Sequence, residues 1–162
     1  MKYAKREFER RFLLGSVPPS LPTQYLFITD AYFVGTTLRL RQVVDPDGTT
    51  CTYKLTQKKK DHEGQMWITN TYLSETEATL LRSLPAVILK KRRYHIARGA
   101  TSQAIDIVEG FPEKIVLLEM EGDSAAELQE SPSGFDIVRE VTHEEEYTGY
   151  ALAQRLARQK NA

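Results

Sequence analysis

The chain has 162 residues, a length that suits one domain with a buried core. Basic and acidic residues number 22 each, so no overall charge favours nucleic acid or an anionic membrane as a partner. The single cysteine, Cys51, excludes an internal disulfide and a cysteine-based zinc site. No apolar stretch approaches the roughly 20 residues that span a bilayer, so we expect a cytoplasmic protein with one domain over residues 1–162.

Alternating apolar and polar residues predict eight strands. They span residues 3–14, 25–34, 37–44, 50–56, 66–73, 86–97, 103–108 and 114–121. Asp45-Pro46-Asp47-Gly48 predicts a hairpin turn, and the lysine run at 58–60 is assigned to a charged loop. So many strands favour an antiparallel sheet closed into a barrel, because closure removes exposed strand edges.

Three helices are predicted around this sheet. Ser74 and Glu77 have capping-box spacing, which predicts a helix that begins there and ends before Pro85. A short helix over 124–130 has Asp123 as its cap, and an amphipathic helix covers 148–159. The expected fold is therefore α+β, mainly β, with a closed eight-stranded antiparallel barrel and a few flanking helices.

Charged residues recur two positions apart in several predicted strands, and residues two apart in a strand share one face. The apolar residues Phe8, Leu40 and Met120 fall on the opposite face. The charged pairs are Glu7/Glu9, Arg39/Arg41, Lys91/Arg93 and Glu119/Glu121, with Arg11, Lys54 and Asp106 as further members.

Two interpretations of this charged face remain open. It is either the solvated side of an antiparallel sheet or the lining of a barrel that holds a charged ligand. Acidic and basic strands are segregated by sign, which favours the lining. Guanidinium groups suit phosphate oxygens, and paired glutamates offer the hard oxygen ligands that Mg²⁺ or Mn²⁺ prefers.

Seven segments resemble, in the same order, the motifs of the CYTH superfamily, the triphosphate tunnel metalloenzymes. The resemblance spans roughly residues 7–153. The ExExK signature is resembled by Glu7-Phe8-Glu9-Arg10-Arg11, the RxR strand by Leu38–Arg41, and the lysine strand by Tyr53-Lys54. The KxRY segment is resembled by Lys91–Tyr94, the aspartate strand by Ile105–Gly110, and the ExE strand by Leu118–Glu121. The C-terminal stretch of the family is resembled by Val141-Thr142 and residues 147–153.

This resemblance implies an eight-stranded tunnel and metal-dependent hydrolysis of a small-molecule triphosphate: tripolyphosphate, a nucleoside triphosphate or thiamine triphosphate. By position, Mg²⁺ or Mn²⁺ would be held by Glu7, Glu9, Glu119, Glu121 and Asp106. The phosphates would be bound by Arg39, Arg41, Lys54, Lys91 and Arg93. The groups implied in catalysis are Glu7, Glu9, Arg11 and Lys91.

The chain departs from the family pattern in two places. Arg11 stands where the first motif has a lysine, and Met66–Tyr72 has no carboxylate where the family carries an RxExE-like strand. These departures favour an alternative function, a polyphosphate- or nucleotide-binding module with weak or no turnover. Class IV adenylyl cyclase is a further alternative, and the sequence leaves the substrate, the number of metals and a homodimer open.

Two aromatic residues of the same strand are also considered. Trp67 and Tyr72 are interpreted as core residues rather than stacking platforms, although a base or thiazole ring would need such a platform.

Overall fold

The computed structural model describes residues 3–98 and 101–160, and its strands form one antiparallel sheet. The strands are β1 (Lys5–Arg6), β2 (Phe8–Leu14), β3 (Leu26–Phe33), β4 (Leu38–Val44), β5 (Cys51–Lys60), β6 (Met66–Leu73), β7 (Ala86–Arg98), β8 (Thr101–Val108), β9 (Ile115–Gly122) and β10 (Ile137–Glu140). The helices are α1 (Glu75–Leu81) and α2 (Gly149–Lys160), and a 3₁₀ turn covers Glu145–Tyr147. The predicted α+β, mainly β class is confirmed.

The closed eight-stranded barrel is not confirmed, because the sheet has ten strands in the open order β1-β6-β5-β4-β3-β7-β8-β9-β2-β10. Only Glu7 separates β1 from β2, and its N–H donates to the carbonyl of Met66 at 2.9 Å. The N-terminal segment therefore lies against β6 at its start and against β9 along the rest. Because β6 and β9 lie far apart in the strand order, the sheet must curl and present a concave face.

Helix α1 forms where its capping residues predict it. The Ser74 hydroxyl accepts from the Glu77 N–H, and the Glu77 carboxylate accepts from the Ser74 N–H at 2.7 Å, which completes the capping box. Ala78 is fully buried among Phe33, Leu40 and Tyr53. Helix α1 thus covers part of the outer, convex side of the sheet.

The apolar residues of β2, β8 and β9 also face outward, and they form a second cluster. Phe12, Ile105, Leu118 and Met120 pack there beneath Leu128 and neighbouring loop residues. Because these apolar positions alternate with the charged ones, the charged side chains of the same strands face the concave side.

Helix α2 covers one end of the concave face. A Cβ atom at Gly149 would stand 1.9 Å from the Tyr32 hydroxyl oxygen, so only glycine allows this close approach. The helix contributes Leu152, Ala153 and Leu156, which pack on Leu89, Val108, Ile115 and Leu117. Leu89 and Leu117 precede Lys91 and Glu119 by two residues, so the apolar end and the charged part belong to one face.

Three local predictions differ from the structure. Residues 124–130 contain turns rather than the predicted helix, and residues 58–60 continue β5 rather than forming a loop. Strand β10, which pairs with β2, was not predicted. Neither helix of the described residues has the length and apolar character needed to cross a lipid bilayer.

Candidate functional site

The charged side chains meet on the concave face, beyond the end that α2 covers. Strand register sets them side by side: Asp30 with Arg41, Arg41 with Lys54, Arg93 with Asp106, Arg11 with Glu119, and Glu9 with Glu121. We call the charged face the set Glu7, Glu9, Arg11, Asp30, Arg39, Arg41, Lys54, Lys58, Lys91, Arg93, Asp106, Glu119 and Glu121. The strand register places the site residues predicted from the sequence on this one face.

Asp30 anchors the basic centre of the charged face, although the sequence did not single it out. Its side chain is 0% exposed, and Arg41 donates to its two carboxylate oxygens from Nε and Nη2 at 2.7 Å each. Arg39 Nε lies 3.6 Å from the same carboxylate. Burial opposes ionisation of Asp30, but Arg41 and Arg39 outweigh it and hold its pKa well below the ordinary value.

Two arginines share this one carboxylate, and a lysine adds a third positive charge nearby. The half-buried Lys54 lies beside Arg41 in register, and no ion-pair partner of Lys54 is found in the described residues. Burial lowers the pKa of Lys54, and the charges of Arg41 and Arg39 lower it further. Arg39 Nε is buried and has no hydrogen-bond partner. This part of the face therefore holds excess positive charge and an unused donor.

The cations of β7 are paired more fully. Arg93 donates to Asp106 from Nε at 2.7 Å and from Nη2 at 2.6 Å, and it also pairs with Glu119. Lys91 pairs with Asp106, which is 1% exposed. Burial favours the neutral form of Glu119, but Lys91 and Arg93 outweigh it and keep its pKa well below the usual range. Asp106 and Glu119 therefore compensate these two cations.

The remaining glutamates contact Lys58 and Arg11. Lys58 Nζ lies 2.7 Å from Glu7 Oε2 and 3.7 Å from Glu9 Oε2, so this lysine belongs to the site and not to a solvated loop. Arg11 pairs with Glu9, and its Nη1 donates to the Tyr147 carbonyl at 3.2 Å. Burial raises the pKa of Glu7, despite the nearby Lys58.

The donor chemistry of three glutamates fits a hard divalent cation. Glu9 and Glu121 are register partners, and both act to raise the pKa of Glu7, as close like charges do. By contrast, Asp106 and Glu119 are held by lysine and arginine. Over residues 3–98 and 101–160, no three acidic, histidine or cysteine side chains already converge at one metal-binding point.

The concave side of β6 carries no charge. Ile68, Asn70 and Tyr72, here called the neutral wall, pair in register with Lys58, Thr56 and Lys54 of β5. Asn70 Oδ1 accepts from the Thr56 hydroxyl at 2.8 Å, and that hydroxyl oxygen accepts from Arg39 Nη2 at 3.3 Å. Tyr72 is 76% exposed, so its interpretation as a core residue is wrong.

Comparison with known proteins gives likenesses among solved structures only. No protein-family model and no curated protein matches the chain. A structure of the hypothetical protein NE1496 is 25% identical over 91% of this chain and 97% of its own, with a TM-score of 0.55. A structure described as the inorganic triphosphatase NE1496 is 23% identical over 91% and 93%, with the same TM-score of 0.55. A candidate adenylate cyclase from Bacillus halodurans is 17% identical over 77% and 84%, with a TM-score of 0.54.

The fold and the site together define a class of protein, in which a curled antiparallel sheet carries paired acidic and basic side chains on its concave face. The predicted resemblance to the CYTH superfamily, the triphosphate tunnel metalloenzymes, is confirmed by these structural neighbours.

Proposed function

We propose that the chain binds a triphosphate on the charged face and hydrolyses it to a diphosphate and phosphate. The carrying observation is an excess of cations over carboxylates. Arg39 and Arg41 both pair with Asp30, and Lys54, which has no ion-pair partner in the described residues, lies beside Arg41 in register. A polyanion would supply the missing negative charge and would accept from the unbonded Arg39 Nε. In this proposal the charged face is the inner wall of the tunnel that the resemblance implies.

The proposed contacts extend from this centre to β7. Arg39, Arg41 and Lys54 bind one part of the phosphate chain, and Lys91 and Arg93 bind the next part. Asp106 and Glu119 hold Lys91 and Arg93 in position through ion pairs, which limits the reorganisation needed when the substrate arrives. The inorganic triphosphatase among the structural neighbours supports the choice of substrate class.

The proposal includes Mg²⁺ or Mn²⁺ held by Glu7, Glu9 and Glu121. When bound, the cation would neutralise developing charge on the reacting phosphoryl group. In this structure the Lys58 ammonium group pairs with Glu7 and lies near Glu9. It would have to move away from these glutamates for the metal cation to bind. Asp106 and Glu119 act in this scheme by orienting the phosphate-binding cations.

A second candidate function is binding with weak turnover. Arg11 cannot act by losing a proton at any workable pH, and it is held by Glu9 and the Tyr147 carbonyl. The neutral wall supplies no carboxylate. Both features would leave the affinity for phosphates intact, but they would weaken the positioning of the water that attacks the phosphoryl group.

One assay separates these functions. The protein is incubated with tripolyphosphate or ATP, with and without Mg²⁺, and phosphate, pyrophosphate and cyclic AMP are measured. We expect phosphate release that requires Mg²⁺ or Mn²⁺ and stops with excess EDTA. Binding without any release would favour the binding module, and pyrophosphate with cyclic AMP from ATP would show a cyclase. Full hydrolysis in excess EDTA would contradict the metal proposal.

A further inference from the structure

Tyr72 is a large aromatic side chain left in solvent on the concave side of β6. It is 76% exposed and belongs to none of the three apolar clusters of the described residues. The other large aromatics nearby have structural partners: Trp67 Nε1 donates to Asp61 at 2.8 Å, and Tyr53 is buried in a cluster. Packing therefore does not account for an aromatic ring at position 72.

The position of Tyr72 connects it to the phosphate-binding cations. It is the register partner of Lys54, and directly opposite side chains of neighbouring strands have Cβ atoms about 4.5–5.5 Å apart. Lys54 in turn lies beside Arg41, in the part of the face with excess positive charge. A group attached to the end of a bound phosphate chain at Lys54 would therefore lie within reach of the tyrosine ring.

The chemistry of β6 also suits an uncharged group. Its concave side presents Ile68, Asn70 and Tyr72, whereas the concave sides of β2, β4, β7 and β9 present charged pairs. A site with one neutral wall and several charged walls fits a ligand with one neutral part and one anionic part. Tripolyphosphate has no neutral part, but a triphosphate ester of an aromatic nucleoside has one.

We propose that Tyr72 is the specificity-determining residue of the site and stacks on the aromatic base of a nucleoside triphosphate. The base lies on the neutral wall, while the phosphates extend past Lys54 to Arg39 and Arg41. This inference rests on the proposed triphosphate binding and deepens it. It also gives the carboxylate-free strand a function, because its uncharged side chains suit an uncharged base.

The test compares two ligands by calorimetric titration, tripolyphosphate and ATP, on the wild type and on Tyr72→Ala. Loss of a stacked base typically weakens binding by about ten-fold or more. We expect Tyr72→Ala to weaken ATP binding to this extent and to change tripolyphosphate binding by less than about two-fold. Tyr72→Phe should keep the ATP affinity, because it keeps the ring.

The matched control is Thr71→Ala, which alters an exposed residue on the opposite face of the same strand and should affect neither ligand. Thiamine triphosphate is titrated as a third ligand. If Tyr72→Ala weakened the binding of thiamine triphosphate more than that of ATP, the stacked ring would belong to a thiamine rather than to a nucleoside. That result would overturn the proposal, as would unchanged ATP affinity in Tyr72→Ala or equal losses for ATP and tripolyphosphate. If the wild type bound neither ATP nor tripolyphosphate, the proposed function itself would fail.

Discussion

At the scale of single residues, the charged face depends on carboxylates that compensate two neighbouring cations each. Asp30 is fully buried and bonded to Arg41 through both oxygens, with Arg39 close by. Breaking a buried ion pair by removing one partner is strongly destabilising, because it leaves the other charge uncompensated. Asp30 is therefore a structural residue of the site as well as an electrostatic one.

We predict that Asp30→Asn lowers the free energy of unfolding by about 3–5 kcal/mol, because it leaves Arg39 and Arg41 without their counter-ion. Urea denaturation measures the loss, and tripolyphosphate should raise the stability of the variant more than that of the wild type. Asp47→Asn in an exposed turn is the control, and its denaturation midpoint should stay close to that of the wild type. An unchanged denaturation midpoint for Asp30→Asn would contradict the prediction.

The two arginines near Asp30 should behave differently. Arg41→Ala should reduce both stability and affinity, because Arg41 holds the buried carboxylate through two hydrogen bonds. Arg39→Ala should mainly reduce tripolyphosphate affinity, by about ten- to a hundred-fold, since a charge-assisted contact contributes roughly 1.5–3 kcal/mol. Calorimetry and thermal melting measure the two effects.

The control for these arginines is Arg92→Ala, on the opposite face of β7, which should leave tripolyphosphate affinity unchanged. Wild-type affinity in Arg39→Ala would show that the Arg39 guanidinium, whose Nε has no hydrogen-bond partner, does not contact phosphate.

The pH dependence of stability has opposite signs for different carboxylates. Asp30 and Glu119 have lowered pKa values in the fold, so their contribution to stability is present above the unfolded pKa of about 4 and is lost as pH falls through the folded pKa.

Glu7 has a raised pKa, so its ionisation opposes folding near neutral pH. We expect Glu7→Gln to raise the melting temperature at pH 7, and to lose this advantage as pH falls below about 4. A melting temperature of Glu7→Gln below that of the wild type at pH 7 would contradict this prediction.

At the scale of elements, local signals predicted most of the structure. The capping box was sufficient to predict α1, and the alternation was sufficient to predict β2, β4, β6 and β9. Helix caps and one-sided burial depend on residues close together in the sequence. The same alternation predicted which charged residues share a face. Its physical basis is the two-residue period of a strand, which is independent of how the sheet curls.

Elements that depend on distant partners were missed. Strand β10 forms by pairing with β2, and Lys58 extends β5 toward Glu7, more than fifty residues earlier. At 124–130 the capping bonds exist, since Glu127 accepts from the Asp123 N–H and the Ser124 hydroxyl, but only turns follow. Asp30 was overlooked because it is one carboxylate among the apolar residues of β3, although a lone charge in such a strand is itself a signal of a buried partner.

The two departures from the family motifs can be tested together on β2 and β6. We predict that Arg11→Lys combined with Asn70→Glu raises triphosphate hydrolysis more than it raises affinity. The lysine can exchange a proton, and the glutamate adds a carboxylate ligand to a wall that has none. Paired measurements of calorimetric binding and phosphate release decide this. A gain in affinity without a gain in turnover would contradict the prediction.

At the scale of the whole molecule, a chain without net charge places thirteen charged side chains on one concave surface. Helix α2 covers the apolar end of that surface, while the exposed side chains of Glu121 and Tyr72 mark its solvent-facing part. Among the described residues of this surface, Lys54 is the cation without an ion-pair partner, and Arg39 and Arg41 beside it share the single carboxylate of Asp30. The molecule thus has a specific place for an anion rather than a general affinity for negative charge.

The central claim is that this place binds a triphosphate, and calorimetric titration of tripolyphosphate into the wild-type protein tests it most directly. We predict saturable binding of one tripolyphosphate per chain, which weakens in Arg39→Ala and with increasing salt. Absence of binding at millimolar tripolyphosphate would contradict the account, because the concave charges would then compensate one another without need of a ligand.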